Sequence, residues 1–179
     1  MEKRGMYRWK VILPMLLSMY MFAYIDRTNI SFAMGGIEKS FGVSATVSGL
    51  ISGIFFIGYT LLQAPGGHLA STTSARRNIL IFGILTGIFD MLQGFALNIS
   101  MFIAIRFVLG VCEGVMLPTM YVLIAKWFAE EDRGRATNTF MLYQTLGPLI
   151  MSPLCGFLVA YANLGSMESW RWMLILEGM

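Results

Sequence analysis

The sequence predicts an all-α integral membrane protein, and three observations carry that prediction. Of its 179 residues, 56% are apolar and 13% are Asp, Glu, Lys or Arg, where soluble domains average about 25% charged residues. The mean hydropathy is +0.67. Several stretches reach the roughly 20 mostly apolar residues that a helix needs to cross hydrocarbon. One soluble domain of this length cannot hide so much apolar surface, because surface-to-volume scaling leaves too much of it outside. An ordinary soluble enzyme, a disordered chain and a disulfide scaffold are therefore excluded. Cys112 and Cys155 both lie inside apolar runs and suggest neither a disulfide framework nor a metal cluster.

The spacing predicts five full spans at roughly 9–31, 47–70, 78–97, 101–128 and 138–162, and a sixth that starts near Trp170 and runs ten residues to Met179. The predicted connections are short and polar: Glu38-Lys39-Ser40, Ser71 to Arg77, Asn98-Ile-Ser100, residues 129–135 (Ala-Glu-Glu-Asp-Arg-Gly-Arg), and Asn163 to Ser169. The runs are far longer than the alternating segments of a lipid-facing barrel, so the spans are helices. The net charge of +3 is distributed for membrane topology and not for nucleic acid. Lys3, Arg4, Arg8, Lys10, Arg76, Arg77, Lys126, Arg133 and Arg135 fall on one side, against Lys39 and Arg171 on the other. The positive-inside rule then places the N-terminus in the cytoplasm. Lys3-Arg4 before an apolar run invites a signal-peptide reading, but the run ends in Tyr24-Ile-Asp-Arg-Thr-Asn and not in a small-residue cleavage site. The sequon at Asn98 is given no weight.

The informative residues are the ionisable ones inside the spans: Asp26, Arg27, Asp90, Arg106 and Glu113. On insertion scales each costs about 2.5–3.5 kcal/mol at a helix centre, so such residues persist when paired or turned to a wet cavity. Arg106 and Glu113 are seven residues apart, two turns and about 10 Å along one face. They present opposite charges to one interior seam without touching. Asp26 and Arg27 project about 100° apart, so one can face the bundle interior and the other a pathway. Tyr24 shares the face of Arg27. The charges of Asp26, Arg27, Arg106 and Glu113 sum to zero. Protonating a carboxylate would free an arginine for an anion, a direct route to coupling the two; the bland alternative is a pair of structural ion pairs. Asp90 reads as isolated near a span end, reaching the interface, and His68 as an interfacial residue. Gly49/Gly53, Gly83/Gly87 and Gly110/Gly114 form GxxxG pairs suited to close helix approach. Pro118, Pro148 and Pro153 lie inside spans, where membrane helices tolerate them, and the 15 methionines read as flexible packing.

Four segments carry a family resemblance. Tyr24-Ile-Asp-Arg-Thr-Asn-Ile-Ser-Phe-Ala resembles the first helix of the anion:cation symporter branch of the major facilitator superfamily, and Arg106-Phe-Val-Leu-Gly-Val-Cys-Glu-Gly-Val its fourth. Lys126-Trp-Phe-Ala-Glu-Glu-Asp-Arg-Gly-Arg-Ala is similar to its loop between helices four and five. Ser169-Trp-Arg-Trp-Met-Leu-Ile-Leu-Glu-Gly is similar to the start of helix six. The resemblance implies the N-terminal six-helix bundle of a two-bundle transporter with rocking-type access. It implies transport of a small organic anion, a sugar acid or carboxylate, with protons. By resemblance Tyr24, Arg27, Tyr59 and Gln144 bind substrate, with Arg27 as anion clamp. Asp26 and Glu113 carry protons, and Arg106 partners Asp26. No cofactor, metal or nucleic acid is implied.

Two departures from the family pattern stand out. Gly67-His-Leu-Ala-Ser-Thr-Thr-Ser-Ala-Arg-Arg lacks the acid that normally helps latch the two halves; Ser71 stands there. The small polar residues common before the glutamine in sugar-acid members are replaced around Gln144 by Met-Leu-Tyr, so substrate identity does not carry over. Ending at Leu176-Glu-Gly-Met, the chain is expected to be an N-terminal fragment, or else a half-size protein pairing with a missing half or another copy. The rival readings are an anion exchanger or facilitator of the same fold, and a fragment without transport of its own. The expected location is the cytoplasmic membrane, multi-pass.

Overall fold

The computed structural model describes residues 6–161 and 167–179. A π-helical turn, Arg8–Ile12, leads without a break into α1, Leu13–Phe41. Pro14 supplies no N–H to the ladder there, and the wider turn sits directly N-terminal to it. The chain continues as α2 (Ala45–Thr72), α3 (Ala75–Gly94), α4 (Ile99–Trp127), α5 (Glu130–Phe140), α6 (Tyr143–Tyr161) and α7 (Ser169–Glu177). Four segments are long and apolar enough to cross a membrane: Arg8–Phe41, Ala45–Thr72, Ile99–Trp127 and Glu130–Ala160, the last taking α5 and α6 together. The 20-residue α3, with Arg76, Arg77 and Asp90, and the nine-residue α7 fall outside that set.

Two expected connections are instead helical, and a third is a helix cap. Glu38, Lys39 and Ser40 lie inside α1, which stops only at Gly42; that residue takes the left-handed conformation, φ +62°, and donates its N–H to the Glu38 carbonyl. Only glycine adopts that conformation without a Cβ penalty. Residues 130–135 open α5. Glu130, Glu131 and Asp132 fill its first turn, where negative charge is favoured by the helix dipole. Asn98 caps α4, its side chain accepting from the Met101 N–H at 2.8 Å, as N-cap asparagines do; the sequon has this structural explanation. Of the last expected connection, Asn163 to Ser166 lie outside the described residues.

Of the three glycine pairs, Gly110/Gly114 makes the close contact. A Cβ at Gly110 would strike the Phe55 carbonyl, one at Gly114 the Tyr59 carbonyl, and one at Gly58 the Phe107 carbonyl. So α2 and α4 meet backbone to backbone, the approach that small residues permit in membranes. Gly49 and Gly53 have nothing within 4 Å of such a Cβ, so that pair makes no helix contact; Gly83 meets only Met116 at 3.9 Å, and Gly87 meets the Gly178 carbonyl at 2.8 Å. Apolar clusters fill the rest: Leu16, Tyr20, Met120 and Phe140 in one, Ala33, Ile37, Phe102 and Leu174 in another.

At one end α7 is tied to α1 by polar contacts. Trp170 Nε1 donates to Glu168 Oε2 at 2.8 Å and to Ser40 Oγ at 2.9 Å, and Ser40 Oγ donates to the same carboxylate at 2.5 Å. Arg171 donates to the carbonyls of Gly94 and Ala96 at 2.9 and 2.8 Å. The Ser40 hydroxyl, with the Trp170 and Arg171 donors, holds the Glu168 carboxyl below its usual range.

Two measurements check this packing. Gly114→Val should lower stability by about 1–3 kcal/mol, the usual cost of overpacking, while Gly49→Val should leave it unchanged in thermal unfolding of the detergent-solubilised chain. A carboxyl whose folded pKa is lowered stabilises above its unfolded value and loses that contribution as pH falls through the folded one. The melting temperature should therefore drop on acidification below the ordinary glutamate range, and part of that drop should vanish in Glu168→Gln.

Candidate functional site

Midway along α1, Asp26 and Arg27 each reach α4. Arg106 Nη1 donates to Asp26 Oδ2 at 2.6 Å, and Arg27 Nε donates to Glu113 Oε2 at 2.7 Å. The two-turn spacing of Arg106 and Glu113 matches adjacent residues on α1 because the four side chains pair crosswise, acid to base and base to acid. The Asp26 and Glu113 side chains are 4% and 0% exposed, Arg106 1%, and Arg27 10%. Arg27 is thus the most accessible of the four. The partner implied for Asp26, namely Arg106, is the one observed.

Aromatic rings wall in Arg27. Its guanidinium carbon lies 4.1 Å from the Tyr59 ring centroid, 5.4 Å from Phe55, 5.5 Å from Tyr24 and 6.0 Å from Tyr20, all within cation–π range. Its Nη2 donates to the Tyr20 hydroxyl at 3.1 Å. Phe55 also lies 4.8 Å from the Arg106 guanidinium, so this ring sits against both cations. Tyr24 and Tyr20 each pack edge-on against Tyr143, at 5.0 and 4.6 Å.

Tyr24, Arg27, Tyr59 and Glu113 are therefore brought together, and Asp26 with Arg106 forms the neighbouring pair. Gln144 is not in contact with Arg27. It is exposed, and its Nε2 donates to the Tyr143 hydroxyl at 3.1 Å, so it joins the set only through that ring. Tyr20, Phe55 and Tyr143 were missed in the sequence; only Tyr20, seven residues before Arg27 and so on nearly its face, left a readable signal.

Asp90 is the clear correction. It is neither isolated nor interfacial: it is 4% exposed, and its Oδ1 accepts from Gln93 Nε2 at 2.9 Å while Gln93 Oε1 accepts from Arg106 at 3.2 Å. The i,i+3 spacing of Asp90 and Gln93 sets the first of these bonds. Carboxylate oxygens from Asp26, Asp90 and Glu177, one from each, lie within 4.8 Å of one another. Among the described residues this is the group whose donor set could hold a cation. Glu177 Oε1 accepts from Asn29 Nδ2 at 2.8 Å and lies 3.1 Å from Cys155 Sγ. His68 is exposed near the end of α2.

The site is thus a set of buried charges paired across two helices of an apolar, membrane-type bundle, beside an arginine walled by aromatic rings. The chain belongs to the Major Facilitator Superfamily, whose model matches residues 16–179. It is 32% identical over 93% of its length to a putative tartrate transporter of Agrobacterium vitis, covering 37% of that protein. It is 31% identical over 94% to a quinolone resistance transporter of Acinetobacter baumannii, covering 39%, and 29% identical over 93% to a D-galactonate transporter of Escherichia coli, covering 37%. The chain thus spans well under half the length of these relatives. A bacterial homologue of the human lysosomal transporter Spinster, in an inward-facing and occupied conformation, superposes with a TM-score of 0.89 at 19% identity, over 96% of this chain and 42% of that one. That likeness establishes the fold alone, a bundle of helices among the described residues.

The pairs make a stability prediction. Removing one member of a buried ion pair costs about 3–5 kcal/mol, because the other charge is left uncompensated. Arg27→Gln should destabilise the bundle by that order in detergent unfolding, and Arg27→Gln with Glu113→Gln should recover part of the loss.

Proposed function

We propose that this chain is the N-terminal bundle of a carrier that moves a small organic anion, a sugar acid or carboxylate, across the cytoplasmic membrane by proton symport with alternating access. The observation that carries the reading is the Arg27–Glu113 pair: the more exposed arginine of the four-charge set is held at 2.7 Å by a fully buried carboxylate. A proton on Glu113 cancels the negative charge that occupies Arg27. The freed guanidinium then offers a bidentate fork to an incoming carboxylate. Tyr24 and Tyr59 flank that fork, and Gln144, on the exposed side of Tyr143, supplies a polar group to the anion's hydroxyl end. Asp26 is the second proton carrier, with Arg106 as its counter-charge. That the relatives include a putative tartrate transporter and a D-galactonate transporter supports the anion class. The excess of basic residues on one side of the spans supports a cytoplasmic N-terminus.

A second reading, that the chain alone does not transport, is favoured by its covering 37% to 39% of several relatives' length. The carrier cavity then needs a C-terminal half or another copy of the chain.

The test uses the chain reconstituted in liposomes with an acid-outside gradient and radiolabelled sugar acids and dicarboxylates. Gradient-driven uptake should be abolished in Glu113→Gln while counterflow exchange survives; equal loss of both would sink the coupling role. Arg27→Lys keeps the charge but loses the fork, and affinity should fall roughly tenfold or more, the scale of one charge-assisted hydrogen bond. No uptake from folded, inserted protein would favour the second reading.

A further inference from the structure

The face of α1 that carries Asp26 and Asn29 meets α3 and α7 in a cluster that the substrate reading does not use. Asp26, Asp90 and Glu177 bring one carboxylate oxygen each within 4.8 Å of the others. Each carboxylate has one oxygen fastened by a protein donor: Asp26 Oδ2 by Arg106, Asp90 Oδ1 by Gln93, and Glu177 Oε1 by Asn29. Asp26 Oδ1 and Glu177 Oε2 are buried with no hydrogen-bond partner, and Asp26 is 3% exposed. All three residues line a cavity of about 280 Å³ whose walls include Phe22, Thr86 and Met116.

The charge count at this place does not close. Among the described residues, three carboxylates face one guanidinium, Arg106 on α4, because Arg27 is occupied by Glu113. The other groups packed here add no positive charge: Cys155 on α6 is a thiol against Glu177, Asn29 and Gln93 are amides, and Phe55 on α2 is apolar. Buried oxygens without partners and uncompensated charge at this depth are both costly. A metal ion would have to settle beside the Arg106 guanidinium, 2.6 Å from Asp26, which repels it. A proton instead binds a carboxylate oxygen directly, removes its charge and turns it into a hydrogen-bond donor toward its neighbours.

We propose that Asp26, Asp90 and Glu177 form a single proton-holding site, in which carboxyl protons are shared among oxygens of α1, α3 and α7 and exchanged through the adjoining cavity. Its place in a transport cycle rests on the proton-coupling reading of Asp26; its geometry does not. The proton then reaches Asp26 by a face of α1 other than the one that presents Arg27 to the anion.

The test is infrared spectroscopy of the purified, detergent-solubilised chain at neutral pH, in H2O and D2O, with helicity checked by circular dichroism. The expected result is a protonated-carboxyl C=O band that shifts down in D2O. It should lose intensity in Asp90→Asn and in Glu177→Gln, persist in Asp90→Glu, and be unchanged in Glu113→Gln. A folded wild-type chain without the band would overturn the proposal, as would a band indifferent to both neutralising variants. A melting temperature that rises with sodium chloride over choline chloride at fixed ionic strength would overturn it in favour of a metal cation. Uptake that ignores the pH gradient while the band behaves as expected would remove the coupling reading and leave the proton site standing.

Discussion

Two guanidinium–carboxylate contacts between α1 and α4 set the terms for the rest of this bundle. Charges at this depth persist only if each finds its opposite, and the crosswise pairing of Asp26 with Arg106 and Glu113 with Arg27 provides that while fixing the register of the two helices. Adjacent residues on α1 can serve partners two turns apart on α4 only at one relative height and rotation. The glycines that bring α2 against α4 then place Phe55 and Tyr59 over the same cations. The apolar clusters fill space around an arrangement that the charges have already specified.

The two pairs differ in environment. Asp26 and Arg106 are both almost wholly buried, and they connect onward through Gln93, Asp90 and Glu177 to α3 and α7. Arg27 is partly open and framed by aromatic rings. One face of α1 therefore looks toward a network of carboxyl groups and the other toward a cationic surface walled by aromatic rings. Two neighbouring residues on one helix, Asp26 and Arg27, join these two environments.

Much of the architecture could be read from the chain. Long apolar runs announced the helices, and the departures fell at their ends: Glu38 to Ser40 and residues 130–135 are polar yet helical. Polarity marks exposure to water, not loss of helix, and capping decides where a helix stops. Gly42 and Asn98 hold those caps. Among the glycine pairs, composition could not say which would face a neighbour; Gly110/Gly114 does because α2 carries Gly58 opposite.

The sequence by itself determined that this is a helical membrane bundle, where its apolar segments lie, and that four opposed charges must be reconciled inside it. These are local properties, set by about 20 residues of hydropathy at a time or by the cost of an isolated charge. Only the tertiary structure decided who reconciles whom. Asp26 and Arg106 are 80 residues apart and Arg27 and Glu113 are 86 apart. Asp90, which the chain presents as solitary, is drawn into the carboxyl cluster only by the packing of α3 and α7 against α1. No helical period relates residues on different helices, so those meetings are fixed by packing alone.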